Sequence, residues 1–232
     1  MADLTQKLGE AGAAAIVFDI LFAEPDRTSP EQVVAAAPRQ RRAQLRRALS
    51  TLPSHDGAFA EALRHHPSVL ATSLHEQATS TAFPTHAGWA AAGDEPGQFL
   101  PDYPGLATNL PALSDAASGA GFINWLPDGD QVMRRVPFLL RYNGEIAPSL
   151  SLEALRVAVG ASTYVVRASN ANGAQAFGAH TGIDSIKVGP VEIPTDASGQ
   201  VWVRFRAYNP DEAIPAWKVL DGEIGTQQLE GT

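Results

Sequence analysis

The chain has no cysteine in its 232 residues. That excludes a disulfide framework and thiol chemistry, but it leaves the compartment open, because a chain of this size can fold without cross-links. Long apolar runs are also missing. No stretch approaches the roughly 18 uncharged apolar residues of a membrane helix, and the opening Met1 to Lys7 reads as a polar helix rather than a signal peptide. The chain itself is therefore expected to be soluble, with any membrane segments of a parent lying outside it. Positive charge is scarce: 17 Lys and Arg against 25 Asp and Glu give a net charge of −8. A nucleic-acid partner is not expected, since phosphate binding needs clustered cations. The one basic cluster, Arg39, Arg41, Arg42, Arg46 and Arg47, falls on a predicted helix without interleaved aromatics and reads as a solvated face rather than an anionic-lipid contact.

Catalytic constellations are absent as well. There is no Gly-x-Ser-x-Gly elbow and no glycine-rich phosphate loop after a strand. Asp19-Ile20-Leu21 lacks the second aspartate that phosphoryl-transfer enzymes with a strand-end aspartate place two residues on. The six histidines have no zinc-type spacing, and the adjacent His65 and His66 would point about 100° apart on a helix. Asp128-Gly129-Asp130 lacks the further ligands of a calcium loop and is better explained as a hairpin turn. No catalytic residue, metal or cofactor is expected.

The residues that are present describe one α/β domain spanning 1–232. A mixed, partly parallel central sheet carries helices on both faces, with antiparallel hairpins in the C-terminal half. Asp3 and Gln6 form a capping box for a first helix that Gly12 stops. Ala13 to Phe22 is apolar apart from Asp19 and reads as the core strand. Ser29-Pro30-Glu31-Gln32 opens a helix interrupted before Pro38 and resumed to about Leu52, and another helix runs from about Asp56 to His66. Ser68 to Leu74 is a second buried strand, parallel to the first through this crossover. Glu76 to Gly105 reads as a long binding loop or lid tethered by Phe83, Trp89, Phe99 and Tyr103. A helix is expected at 109–118, strands at 163–167, 185–188, 191–193 and 200–206, a loop at 170–181, and a closing helix near 214–220.

Gly121 to Gly160 holds the most unusual feature. A two-residue turn at Asp128-Gly129 would pair Trp125 with Val132 and Ile123 with Arg134, and the helix that follows is entered through Pro148. On a strand from Val132 to Tyr142, Arg134 shares a face with Val136, Phe138 and Leu140. A guanidinium cannot shed its charge, so an inward Arg134 needs a carboxylate, and Asp19, Glu24, Asp128 and Glu153 are the candidates. Such a pair would clamp hairpin to sheet; alternatively, the arginine would anchor an anionic ligand. Asp19 keeps two readings: a hydrogen bond to the next loop, or a ligand or arginine partner at a strand end.

These segments carry a resemblance. FDILFAEPD (Phe18 to Asp26), a helix ending Ala58-x-x-x-Ala62-Leu63-Arg64 before a strand, GFINWLPDGDQVMRRVP (Gly121 to Pro137), PSLSLEALR (Pro148 to Arg156), VWVRFRAY (Val201 to Tyr208) and AIPAWKVLDG (Ala213 to Gly222) together resemble the type 2 CHASE domain. This is the second class of bacterial cyclase and histidine-kinase associated sensory extracellular domains. The likeness runs from about Gly9 to Gly222 and is weak over Glu76 to Gly105. It implies an extracytoplasmic sensor anchored by flanking membrane helices that are not in this chain. The sensor would feed an adenylate or guanylate cyclase, or else a histidine or Ser/Thr kinase, would answer a small-molecule or physical signal, and would act as a homodimer. Asn124, Asp128, Arg134 and Arg135 are the polar marks of the most specific block, and with Asp19 and Glu24 they are the candidates for ligand binding or structural ion pairing.

Overall fold

A computed structural model describes residues 1–171 and 182–224; most of the loop expected at 170–181 lies outside the described residues. The first half runs α1 (Ala2–Glu10), β1 (Ile16–Phe18), α2 (Pro30–Ala36), α3 (Arg39–Ala48), α4 (His55–His65), β2 (Ser68–His75), β3 (Gly88–Ala92), β4 (Asp102–Tyr103), β5 (Gly105–Ala107), α5 (Pro111–Ser114) and β6 (Gly119–Phe122). The second half runs β7 (Arg135–Pro137), β8 (Leu139–Tyr142), β9 (Glu145–Pro148), α6 (Leu150–Ala158), β10 (Thr163–Ala168), β11 (Ile183–Val188), β12 (Val191–Pro194), β13 (Gln200–Trp202) and α7 (Ala216–Leu220).

The fold is α/β with mixed sheets. β2 is the true core strand: it pairs in parallel with β1 and β6 and antiparallel with β5. Its first five residues are all buried. Along β2 the side chains alternate between two covered faces. Leu70 joins Ile16 and Phe18 in a core with Phe59 and Leu63 of α4 and Leu113 of α5. Val69 and Ala71 turn the other way, in register with Gly119 and Gly121 of β6, against α6. That approach needs glycine, because a Cβ on Gly119 would come within 2.3 Å of the Glu153 carboxylate. Ser149 caps α6 by accepting from the Leu152 amide.

Several expectations need correction. The core strand expected at 13–22 shrinks to Ile16–Phe18 on the sheet edge, with Val17 and Ile20 exposed. The helix expected at 109–118 is a single turn, Pro111–Ser114. The stretch 76–105 is more than a loop: β3 pairs in parallel with β10 and extends the sheet β12-β11-β10-β3. Its aromatics do tether it, Trp89 and Phe99 against the core of that sheet, Phe83 and Tyr103 against Leu140 and Tyr142. The strand expected at 200–206 pairs only through Trp202, after which Phe205 and Tyr208 stand about three-quarters or more exposed.

The hairpin at Asp128-Gly129 is also different. Gln131 accepts the turn instead, with its amide bonded to the Asp128 carbonyl and a left-handed φ of +64°, so the turn is a three-residue loop with a bulge. Its flanks separate: β6 pairs with β2, while β7 pairs with β13. Val132 to Arg134 therefore lies outside any strand, and the expected alternation never reaches Arg134.

Candidate functional site

Arg134 is not buried: its side chain is 43% exposed. It forks onto Asp130, with Nη1 donating to Oδ1 at 3.0 Å and Nη2 to Oδ2 at 2.7 Å, and it touches Asp128 at 3.2 Å. Arg135 is the more enclosed of the pair. It donates to Asp128 at 2.7 Å and to Asp196 at 2.9 Å, and its guanidinium lies 5.6 Å from the Trp202 ring. Asp196 is tied in turn to the amides of Ser198 and Gln200, so Arg135 staples the 128–135 turn to the turn before β13. The two arginines hold the Asp128 carboxyl below its usual range, and the Arg134 fork brings Asp130 down to about 2.

Asn124 belongs to the backbone. Its side chain accepts from the Leu74 amide at 2.8 Å and donates to the Leu74 carbonyl at 2.7 Å, continuing the β6–β2 ladder by one step. The structure thus brings Asp128, Arg134 and Arg135 together with their charges internally paired, while Asn124 bonds to Leu74 of β2 instead. Asp19 is exposed on β1's far end, and Glu24 reaches Arg27 alone, at 3.2 Å on the surface, beside a cleft of about 510 Å³. Neither meets Arg134 or Arg135. Near that cleft the Asp26 carboxylate accepts from Thr28, and the Asp56 carboxylate from the Asp26 amide.

The buried guanidinium that the sequence seemed to demand exists elsewhere, on α6. Arg156 is 7% and Glu153 1% exposed. Nε donates to Glu153 Oε2 at 2.9 Å and Nη2 to Oε1 at 2.7 Å, while Nη1 and Nη2 also cap the carbonyls of Ala161 and Ser118. The Tyr164 hydroxyl closes the network on Glu153, its ring stacked on Trp89. Burial and the neighbouring carboxylate push the Tyr164 phenol well above its usual range. Glu153 was a legible partner, but for the wrong arginine: an i,i+3 pair on a helix ordinarily reads as surface decoration. The small residues Gly119 and Gly121 facing it were the signal that this helix is clamped close to the sheet.

Beside this network lies a void of about 10 Å³, room for roughly one water. It shares residues 83–86 with a larger cleft of about 360 Å³ that opens between that strap and Thr108 to Asp115. His86, Thr108 and Ser114 line that cleft, while His86 Nε2, Thr108 Oγ1 and Ser114 Oγ are themselves covered by protein and make no hydrogen bond to another protein group. Burial pushes the His86 imidazole below its usual pKa, with Glu153 and Asp115 pulling it up and Arg156 pushing it down. None of these three groups carried a sequence signal, since isolated Ser, Thr and His belong to no spacing rule.

Among the described residues no helix is long and apolar enough to cross a membrane, and no group of three or more His, Asp or Glu could hold a metal. Comparison with curated proteins and with solved structures gives no match. Comparison with protein families gives the CHASE2 domain over residues 1–232, the entire chain, and the protein therefore belongs to the CHASE2 family of sensory extracellular domains.

Proposed function

We propose that the chain is the extracytoplasmic input domain of a bacterial transmembrane receptor, most directly an adenylate or guanylate cyclase, with histidine and Ser/Thr kinases as the other effector types. It performs no catalysis itself. Flanking membrane helices anchor it, and it works as a homodimer. The observation that supports this reading is the contact between α1 and α7. Lys7 Nζ donates to the carbonyls of Val219 at 3.3 Å and Leu220 at 2.8 Å, joining elements more than 200 residues apart. A domain whose first and last helices meet can convert a small rearrangement into relative displacement of the segments attached to them. Because the chain has no cysteine, Glu10→Cys and Asp221→Cys would add the two label sites within the domain, and mixing labelled with excess unlabelled protomers would isolate the distance within one protomer. The reading expects the label distance to change with any stimulus that changes receptor output, and Lys7→Ala to alter basal output. A distance that stays fixed while output changes would contradict it.

A second reading, a ligand-independent dimerisation and spacing module, is favoured by Trp202, Phe205 and Tyr208, which are 68%, 75% and 80% exposed. It requires a constitutive dimer in light scattering that is weakened by Phe205→Ser. A monomer at all concentrations sinks it.

A further inference from the structure

α2 and α3 form a hairpin whose second helix stands clear of the core. No residue of α3 is buried, and its main packing partner is α2. The hairpin is pinned at its root: Ser54 Oγ donates to Glu31 at 2.7 Å, and the His55 amide donates to Ser29 Oγ at 3.1 Å. α3 carries Arg39, Arg41, Arg42, Arg46 and Arg47, and no acid occurs between Glu31 and Asp56. The rest of the chain, with 12 bases against 25 acids, carries −13. Exposure alone would fit the solvated face expected from the sequence; the pairing does not. Among the described residues, eight of the nine arginines outside α3 are ion-paired with an aspartate or glutamate, and none of the five on α3 is. Arg42 folds back on the carbonyls of Ala35 and Ala37, which leaves four guanidinium groups in solvent without a counter-charge. We propose that the α2–α3 hairpin docks on a lipid bilayer, with these arginines binding the phosphates of anionic phospholipids.

Like charges three and four residues apart on a helix repel, and Arg39 with Arg42 and Arg42 with Arg46 have that spacing. A ten-residue helix with no buried face has little else to hold it, so an array of phosphates supplies the counter-charge that the fold withholds. Arg39, Arg46 and Arg47 fall at i, i+7 and i+8 and share one stripe, which a planar anionic surface can meet at once. Apolar side chains accompany them. Arg46 lines a groove of about 290 Å³ with Val34, Leu49 and Leu52, and Leu52 is 55% exposed. Leucine beside arginine suits the boundary between headgroups and acyl chains, whereas an acidic protein would match the charge alone. Position favours the bilayer further. The root of the hairpin shares the cleft of about 510 Å³ with α1: Pro53, His55 and Asp56 line it together with Met1 and Asp3. α3, about 15 Å long, therefore stands near the end of the domain where α1 begins. The placement rests on the receptor reading above, in which a flanking membrane helix joins there.

The purified chain is mixed with vesicles of phosphatidylcholine alone, or of equal parts phosphatidylcholine and phosphatidylglycerol, and bound protein is separated by flotation. Binding should appear on the anionic vesicles only. It should fall at least tenfold as salt rises from about 0.01 to 0.15 M and the screening length shrinks from about 30 to 8 Å. Arg39→Gln with Arg46→Gln and Arg47→Gln should weaken it at least tenfold, with folding verified by circular dichroism. Arg64→Gln with Lys187→Gln and Arg204→Gln removes the same charge from exposed positions elsewhere and should bind as the unaltered chain does. Because the chain as a whole is negative, unspecific attraction to an anionic surface would not give this pattern. No binding to the anionic vesicles, equal binding to the neutral ones, or an undiminished triple variant overturns the proposal. So does binding of poly-L-glutamate, or self-association in light scattering, that needs these arginines while vesicles are ignored: the surface would then serve an acidic protein or a second copy. Failed vesicle binding leaves the receptor reading standing, since that is decided by the α1–α7 label distance. Intact vesicle binding beside a label distance that ignores receptor output keeps the contact and removes the receptor reading.

Discussion

The molecule holds two carboxylate–arginine clusters that look alike in a list of contacts and differ in environment. Arg134 and Arg135 with Asp128, Asp130 and Asp196 sit at the surface, with side chains between 22% and 54% exposed. Arg156 with Glu153 is almost completely buried. Water screens the first set, so its worth lies in fixing the turn against β13. The second set gave up its hydration to form, so removing either partner strands an uncompensated charge. The lesson is that the polar block that stood out in the sequence is a surface staple, while the ion pair that gave up its hydration is an unremarkable Glu-x-x-Arg on a helix.

The largest expected effect is therefore at Arg156. Arg156→Ala should cost about 3–5 kcal/mol in chemical denaturation, enough to threaten folding; Glu153→Met with Arg156→Met should recover part of the loss, since an apolar pair leaves no orphan charge. Gly119→Ala comes next, at about 1–3 kcal/mol, because its methyl group would meet the Glu153 carboxylate; the thermal midpoint is the readout. Arg135→Ala should cost about 1–2 kcal/mol through its two charged hydrogen bonds, and Arg134→Ala less than that, shrinking further in salt.

The smallest effect is a pH dependence. With its folded pKa depressed below the ordinary 6.5, His86 takes up a proton more readily when unfolded. Its contribution is thus neutral above about pH 6.5 and turns destabilising as pH falls below that value, until the folded pKa is passed. His86→Gln should flatten the stability profile between pH 7 and 5. The surface aspartates act in a lower window: their pKa values are also depressed, so the stability they add persists through pH 4 and is lost towards pH 2.

Local signals were legible where local physics decided the outcome. α4, α6 and β2 follow their apolar patterns, and β10 to β12 their strand-like runs, whereas the capping box expected from Asp3 and Gln6 does not form because Asp3 lies inside α1. The parallel pairing of β1 and β2 followed from the length of the crossover. What could not be read was the choice of strand partner. The Asp128 turn forms, but β6 and β7 find other neighbours, because pairing is decided by the burial available elsewhere in the fold. The left-handed Gln131 then moved Arg134 off the apolar face. For the candidate site, Asp128, Arg134 and Arg135 were grouped from sequence, Asp196 was not among the candidates, and the cleft of His86, Thr108 and Ser114 has no sequence signature at all.

The contrast between the clusters can be measured directly as two coupling energies, from double-mutant cycles on Glu153–Arg156 and on Asp130–Arg134 in the same buffer. The account predicts a coupling above about 2 kcal/mol for the buried pair and a clearly smaller one, weakened by added salt, for the exposed pair. Equal couplings, or a larger one at Asp130–Arg134, would contradict it and return the surface block to the centre of the fold.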